Sequence, residues 1–187
     1  MSTPDKPRRL ARRVICQSPW VNHYVDRVEF PGGRIIDEHH ILEFDRPAAC
    51  AVIENERGEV LLAHVYRYTT DSVEWEVPGG VMDPGETVLE AAAREAREEA
   101  GWTTRENRLV YTFHPMGGIT NQVFHVTRCV ADRKVGDIDA NEIESVRWFT
   151  RDELRRLVAD GSIKHGFTLT ALLLCGIVTS QDMADAG

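Results

Sequence analysis

Between residues 12 and 44 apolar and polar positions alternate in short stretches broken by turn residues, the pattern of strands with one buried face. Val14-Ile15-Cys16 stops at Ser18-Pro19, residues 21–30 alternate, and Pro31-Gly32-Gly33 turns the chain into residues 34–44. Two near-continuous apolar runs follow at residues 49–54 and 60–66, joined by a turn at 55–58, and such runs predict strands buried on both faces. Residues 75–77 form a short strand that ends at Pro78-Gly79-Gly80. The apolar spacing then changes to a helical period over residues 86–100, and Gly101 stops it. Residues 109–113, 122–130 and 144–149 read as further strands. Thr150 with Glu153 has the spacing of a capping box for a helix to Ala159, ended by Gly161, and residues 167–180 predict a final buried helix. Strands with helices between them imply an α/β layered sandwich.

The chain's 187 residues suit one catalytic domain with a real core. Its divisions read as a flexible tail over residues 1–11, a β-region over 12–46, and the main domain over 47–187. A formal net charge of −8 argues against broad electrostatic binding to nucleic acid or to an anionic membrane. The basic residues from Arg8 to Arg13 then belong to the loose tail rather than to a nucleic-acid arm. The apolar run at residues 171–178 is too short to span a bilayer, and no apolar segment follows the basic N-terminus as in a secretory signal. Cys16, Cys50, Cys129 and Cys175 lie far apart, with neither zinc-site spacing nor a dense disulfide framework. Free thiols in a reducing cytoplasm are the expectation.

One segment changes this picture. Residues 80–102 read GVMDPGETVLEAAAREAREEAGW. At about 100° per residue, Glu95, Glu98 and Glu99 share one stripe of the helix, beside an apolar stripe of Leu89, Ala92, Ala93, Ala96 and Ala100. Like charges at these spacings destabilise a helix by a few tenths of a kcal/mol per pair, about as much as a favourable pair gains. The last turn also disfavours anions because of the helix dipole. A face with both costs asks for a cation, and all-oxygen ligands suit Mg²⁺ first and Mn²⁺ next. Without the flanking residues, the same stripe reads as an ordinary solvated acidic face.

Those flanking residues resemble the Nudix box, G-x5-E-x7-R-E-U-x-E-E-x-G-U, at every fixed position: Gly80, Glu86, Arg94, Glu95, Glu98, Glu99 and Gly101. Ala96 and Trp102 fill the two apolar positions. The resemblance implies a Nudix-type α/β/α sandwich with a mixed sheet, preceded by an N-terminal antiparallel β-region. It implies Glu95 and Glu99 as metal ligands, Glu98 as a ligand or holder of a metal-bound water, and the Gly79 carbonyl completing the set. Arg94 would pair with Glu86 and orient the carboxylates. The implied reaction is attack of a metal-activated water on the diphosphate of a nucleoside diphosphate linked to a group X.

Beyond the box the chain resembles the ADP-ribose pyrophosphatase branch. Ser18-Pro19-Trp20 and Phe30-Pro31-Gly32-Gly33 are similar to that branch's extra β-region, which implies a homodimer. Tyr66-Arg67-Tyr68 and Trp75-Glu76-Val77-Pro78-Gly79-Gly80 resemble its strand ends, and Pro115 stands near its marker proline. His114-Pro115-Met116-Gly117-Gly118 and Asn121-Gln122 depart from the usual residues there, which leaves the substrate open. Arg67 is the candidate for the substrate's diphosphate and Glu76 for its base or ribose. Trp75, with Tyr66, Tyr68 and Phe113, is a candidate for stacking, the alternative being a place in the core. The branch places its general base on a late loop, where Glu142 is the first candidate and Glu144 or Glu98 the alternatives. His39, His40 and His64 lack metal-site spacing. ADP-ribose or a nucleotide sugar is the expected substrate. The alternatives are a CDP-alcohol, a dinucleotide or a damaged nucleoside triphosphate, and a sensor that binds nucleotide without cleaving it.

Overall fold

The structure is a computed structural model that describes residues 5–138 and 143–184. It divides into two compact units, Met1–Pro47 with His114–Val123, and Ala48–Phe113 with Phe124–Gly187. In the first unit β1 (Arg8–Cys16), β2 (Asn22–Glu29) and β3 (Ile35–Glu43) form an antiparallel sheet with β2 at its centre. Phe30 N–H donates to the Arg34 carbonyl at 2.8 Å across the predicted glycine turn. Strand β1 starts at Arg8, so residues 8–11 belong to the sheet and not to a tail. The reason is charge pairing that no apolar period announces. Arg8 binds Glu29 at 2.7 Å, and Arg12 grips the buried Asp26 with Nε and Nη2 at 2.7 and 2.8 Å while lying over the Tyr24 ring.

The excursion at residues 114–123 also lies with this unit. Asn121 accounts for much of that. Its side chain accepts the Phe44 N–H at 2.8 Å and donates to the Phe44 carbonyl at 3.0 Å, and Leu42 N–H reaches the Ile119 carbonyl. An amide side chain thus completes the backbone just beyond β3.

The second unit is a seven-stranded mixed sheet. Its strands are β4 (Ala48–Glu54), β5 (Val60–Arg67), β6 (Ser72–Glu76), β7 (Gly79–Val81), β8 (Trp102–Phe113), β9 (Phe124–Lys134) and β10 (Ile143–Phe149). The main order is β10-β5-β4-β9-β8, with β6 beside β5 and β7 beside β4, and β4 runs parallel to β9. Both faces are covered, as the apolar runs predict. Cys50 and Val52 point into a core shared with α2 (Arg151–Ala159) and α3 (Gly166–Leu174), through Leu154, Ala171 and Leu172. Ala51, Ile53 and Leu61 point the other way, onto Ala92, Ala96 and Ala100 of α1 (Val88–Ala100). The expected α/β/α sandwich is present.

Two elements differ from the pattern reading. Strand β8 begins at Trp102 rather than at residue 109, because register shifts and the positive φ of Glu106 interrupt its alternation. The single helix expected over residues 167–180 is α3 followed, after Gly176 and a short bent link, by α4 (Ser180–Ala184). Ile177 and Val178 in the link are buried, so the apolar run outlasts the helix.

Candidate active site

Helix α1 is fixed at both ends. Thr87 and Glu90 form a capping box, and Gly101 ends the helix in the left-handed region, where a Cβ would come within 2.5 Å of the Gly136 carbonyl oxygen. The alanine stripe seats the helix on the sheet, which leaves Glu95 buried, Glu99 half-buried and Glu98 exposed. The Pro78-Gly79-Gly80 loop meets the first two. Gly79 N–H donates to Glu99 Oε2 at 2.7 Å. A Cβ on Gly80 would lie 2.5 Å from Glu95 Oε1, so the missing side chain is the space the carboxylate uses.

Arg94 binds Glu86 through Nε at 2.8 Å and Nη2 at 3.1 Å, the pairing expected from the sequence. Its Nη2 also donates to the Val81 carbonyl at 3.1 Å, and its Nη1 reaches Glu95 at 2.8 Å and Glu98 at 3.1 Å. One guanidinium therefore joins the Val81 carbonyl and Glu86 of the loop to Glu95 and Glu98 of the helix, and leaves Glu99 aside. Burial raises the pKa of Glu95 against the pull of Arg94. Glu99 is pushed up to about 8, chiefly by burial, with the Gly79 amide opposing and the charge of Glu95 adding.

The donor set is carboxylate and carbonyl oxygen, the chemistry of a hard divalent cation. Glu95 and Glu99 lean on one loop, and burial makes both resist ionisation, which fits such an ion. Among the described residues, no three His, Cys, Asp or Glu side chains converge closely enough to form a finished cage, and Arg94 compensates Glu95 and Glu98 here.

A second polar group spans the antiparallel pair β5–β6. Arg67 forks onto Glu76 with Nε at 2.8 Å and Nη2 at 2.7 Å, and Glu76 is only 2% exposed. His165 Nδ1 stands 3.0 Å from Glu76 Oε2 and 3.0 Å from Thr168 Oγ1, which itself accepts the Val77 N–H at 3.1 Å. Burial works against the Glu76 charge, but Arg67 and His165 overcome it and hold the carboxyl at about 2. Sequence reasoning missed His165 and Thr168, since neither carries a motif and their partners are about ninety residues away.

The remaining candidates scatter. Trp75 stacks on His64 with centroids 4.4 Å apart and sets its edge against Phe149, a place at the core margin. Phe113 packs edge-on against Phe124 and Phe167. Tyr66 is half exposed and bonds Asp71, and Tyr68 is 83% exposed. Pro115 belongs to the first unit. Glu144 pairs with His64 at 3.1 Å, and Glu142 lies outside the described residues.

A NUDIX domain model matches residues 45–168. The chain is 33% identical over 167 residues to a CMP-5'-(N-acetyl-N-hydroxy-3-aminopropyl)phosphonate hydrolase of Streptomyces rubellomurinus, covering 88% of this chain and 80% of that one. It is 28% identical over 159 residues to an ADP-ribose pyrophosphatase of Mycobacterium tuberculosis, covering 83% and 76%. A solved structure described as an ADP compounds hydrolase superimposes with a TM-score of 0.80 at 20% identity, covering 94% and 95%, and shares the fold. With its box residues gathered on α1 and the glycine loop, the chain belongs to the NUDIX family, as a hydrolase of the branch that resembles the ADP-ribose pyrophosphatases.

Proposed function

We propose that the protein is a magnesium-dependent pyrophosphatase of a nucleoside diphosphate derivative, ADP-ribose or a nucleotide sugar, releasing a nucleoside monophosphate and a phosphorylated X. The observation that carries this reading is the meeting of Glu95 and Glu99 with the Gly79-Gly80 loop, held in register by Arg94 and Glu86. Glu95, Glu99, Glu98 and the Gly79 carbonyl would hold Mg²⁺, with Mn²⁺ as a substitute. Bound there, the ion supplies positive charge to the phosphoryl oxygens and acidifies a water. Arg94 keeps the carboxylates aimed, Arg67 faces the diphosphate, and Glu142 takes the water's proton, with Glu144 or Glu98 as the alternative bases. Glu76, Trp75 and Pro115 are the further candidates for holding substrate.

A second reading is favoured by the 33% identity to the cytidylyl phosphonate hydrolase, which makes a cytidine diphosphate-like compound the main rival substrate. A nucleotide sensor has no use for the strained carboxylate stripe, which supports the enzyme. We further propose a cytoplasmic homodimer formed through residues 12–46; among the described residues no helix is long and apolar enough to cross a membrane. The test is Mg²⁺-dependent hydrolysis of a panel containing ADP-ribose, nucleotide sugars, CDP-choline and nucleoside triphosphates. ADP-ribose or a nucleotide sugar should show the highest kcat/KM. Tight binding without turnover of any member would instead establish the sensor.

A further inference from the structure

A cavity of about 490 Å³ opens beside the Arg67–Glu76 pair, walled by the turn after β5, by β6 and by the start of α3. Arg67, Thr69, Glu74, Glu76, Lys164 and His165 supply the chemistry of its lining. Its size is that of a small-molecule site. It also borders the carboxylate site, since Gly79, whose N–H donates to Glu99 at 2.7 Å, follows Glu76 by three residues.

No Phe, Tyr or Trp lines the cavity, and the one ring among its lining residues, His165, is tied through Nδ1 to Glu76 and Thr168, so the cavity offers little stacking surface to a nucleobase. Its charges are balanced, with Arg67 and Lys164 against Glu74 and Glu76, so it does not select a bare anion. What it presents is a mixture of donors and acceptors. Glu76 accepts from Arg67 and is held ionised, so its contact with His165 requires the His165 proton on Nδ1, which leaves Nε2 for a ligand. Lys164 forms no ion pair with a described residue, and Thr69 keeps its hydroxyl. Alternating acceptors, donors and hydroxyls, with the His165 ring serving as a hydrogen-bond partner through Nε2, match a hydroxylated, non-aromatic group.

We infer that this cavity takes group X of the substrate, a hydroxylated non-aromatic moiety such as a sugar phosphate, while the base is held elsewhere. The inference rests on the pyrophosphatase reading and names which half of the substrate goes where. Lys164 and Thr69 are specificity residues on this view. In Lys164→Met and Thr69→Val, the KM for ADP-ribose rises about tenfold with kcat within about twofold. Product inhibition separates the halves: the inhibition constant of ribose 5-phosphate rises about tenfold, and that of AMP stays within about twofold. A rise confined to AMP, or no change in either constant, overturns the assignment. Calorimetric binding of ribose 5-phosphate to the wild type and to Lys164→Met tests the cavity without turnover. If the wild type hydrolyses no nucleoside diphosphate derivative, the pyrophosphatase reading fails, but binding that weakens in the variant still upholds the cavity. Equal binding by wild type and variant, or none by the wild type, removes it.

Discussion

Glu76 and Glu99 are the same residue in neighbouring parts of one unit, both withdrawn from water, yet their acidities lie far apart. Glu76 is held at about 2 and Glu99 is pushed up to about 8. Burial raises both, so the difference lies in their partners. Glu76 receives the whole fork of Arg67 and a histidine, whereas Glu99 has one backbone amide and a second carboxylate for company. The contrast separates a group satisfied by the fold from a group the fold leaves in need of a cation. The costly site is built on a helix capped at both ends and seated on the sheet through alanines.

The comparison predicts opposite outcomes for the same substitution. Glu99→Gln should lower turnover of ADP-ribose by about a thousandfold in a steady-state assay and abolish thermal stabilisation by Mg²⁺, with little loss of stability in EDTA. Near-normal activity would remove Glu99 from the metal site. Glu76→Gln should instead destabilise the fold, by about 2 kcal/mol in denaturant unfolding at pH 7, because Arg67 and His165 lose a charged buried acceptor while the half-exposed Arg67 keeps part of its hydration. That loss has a pH signature. The folded pKa of Glu76 lies below the usual 4.5, so its contribution is complete above pH 4.5 and disappears as pH falls through about 2. The stability gap between wild type and Glu76→Gln should therefore close across that window, and a gap independent of pH would contradict the pairing. Arg94→Lys keeps the charge but loses the fork, and a tenfold to hundredfold weaker Mg²⁺ affinity is expected, on the order of other metal-site supports. Titration of Mg²⁺ activation measures it, and an unchanged activation constant would reduce Arg94 to a surface residue.

Much of the carboxylate site was legible because its residues lie on one helix, where spacing determines which side chains meet. The box fixed Glu86 opposite Arg94, and the structure joins them. The expected helix start at residue 86 was two residues early, because Glu86 stays in the loop to accept the Asp83 amide and meet Arg94. The double burial of β4 was equally readable from its apolar run. The first part of strand β1, residues 8–11, was hidden because its logic is cross-strand charge, and residues 114–123 because bonds from Asn121 and Ile119 to the chain around β3 decide where they attach. The Glu76–His165–Thr168 group joins residues remote in sequence, and no local pattern encodes such a meeting.

Gly80 has no functional group, yet Glu95 occupies the volume where its side chain would be. In a scan of substitutions, this position would score through Glu95, whose carboxylate would have to move aside. The sensitivity would come from occupancy alone: even alanine would press on the carboxylate's oxygen, while the glycine itself does no chemistry. Intolerance to replacement at this loop is thus a measure of how little room the acid has, and a smaller acid at 95, in Glu95→Asp, would be the change that relaxes it.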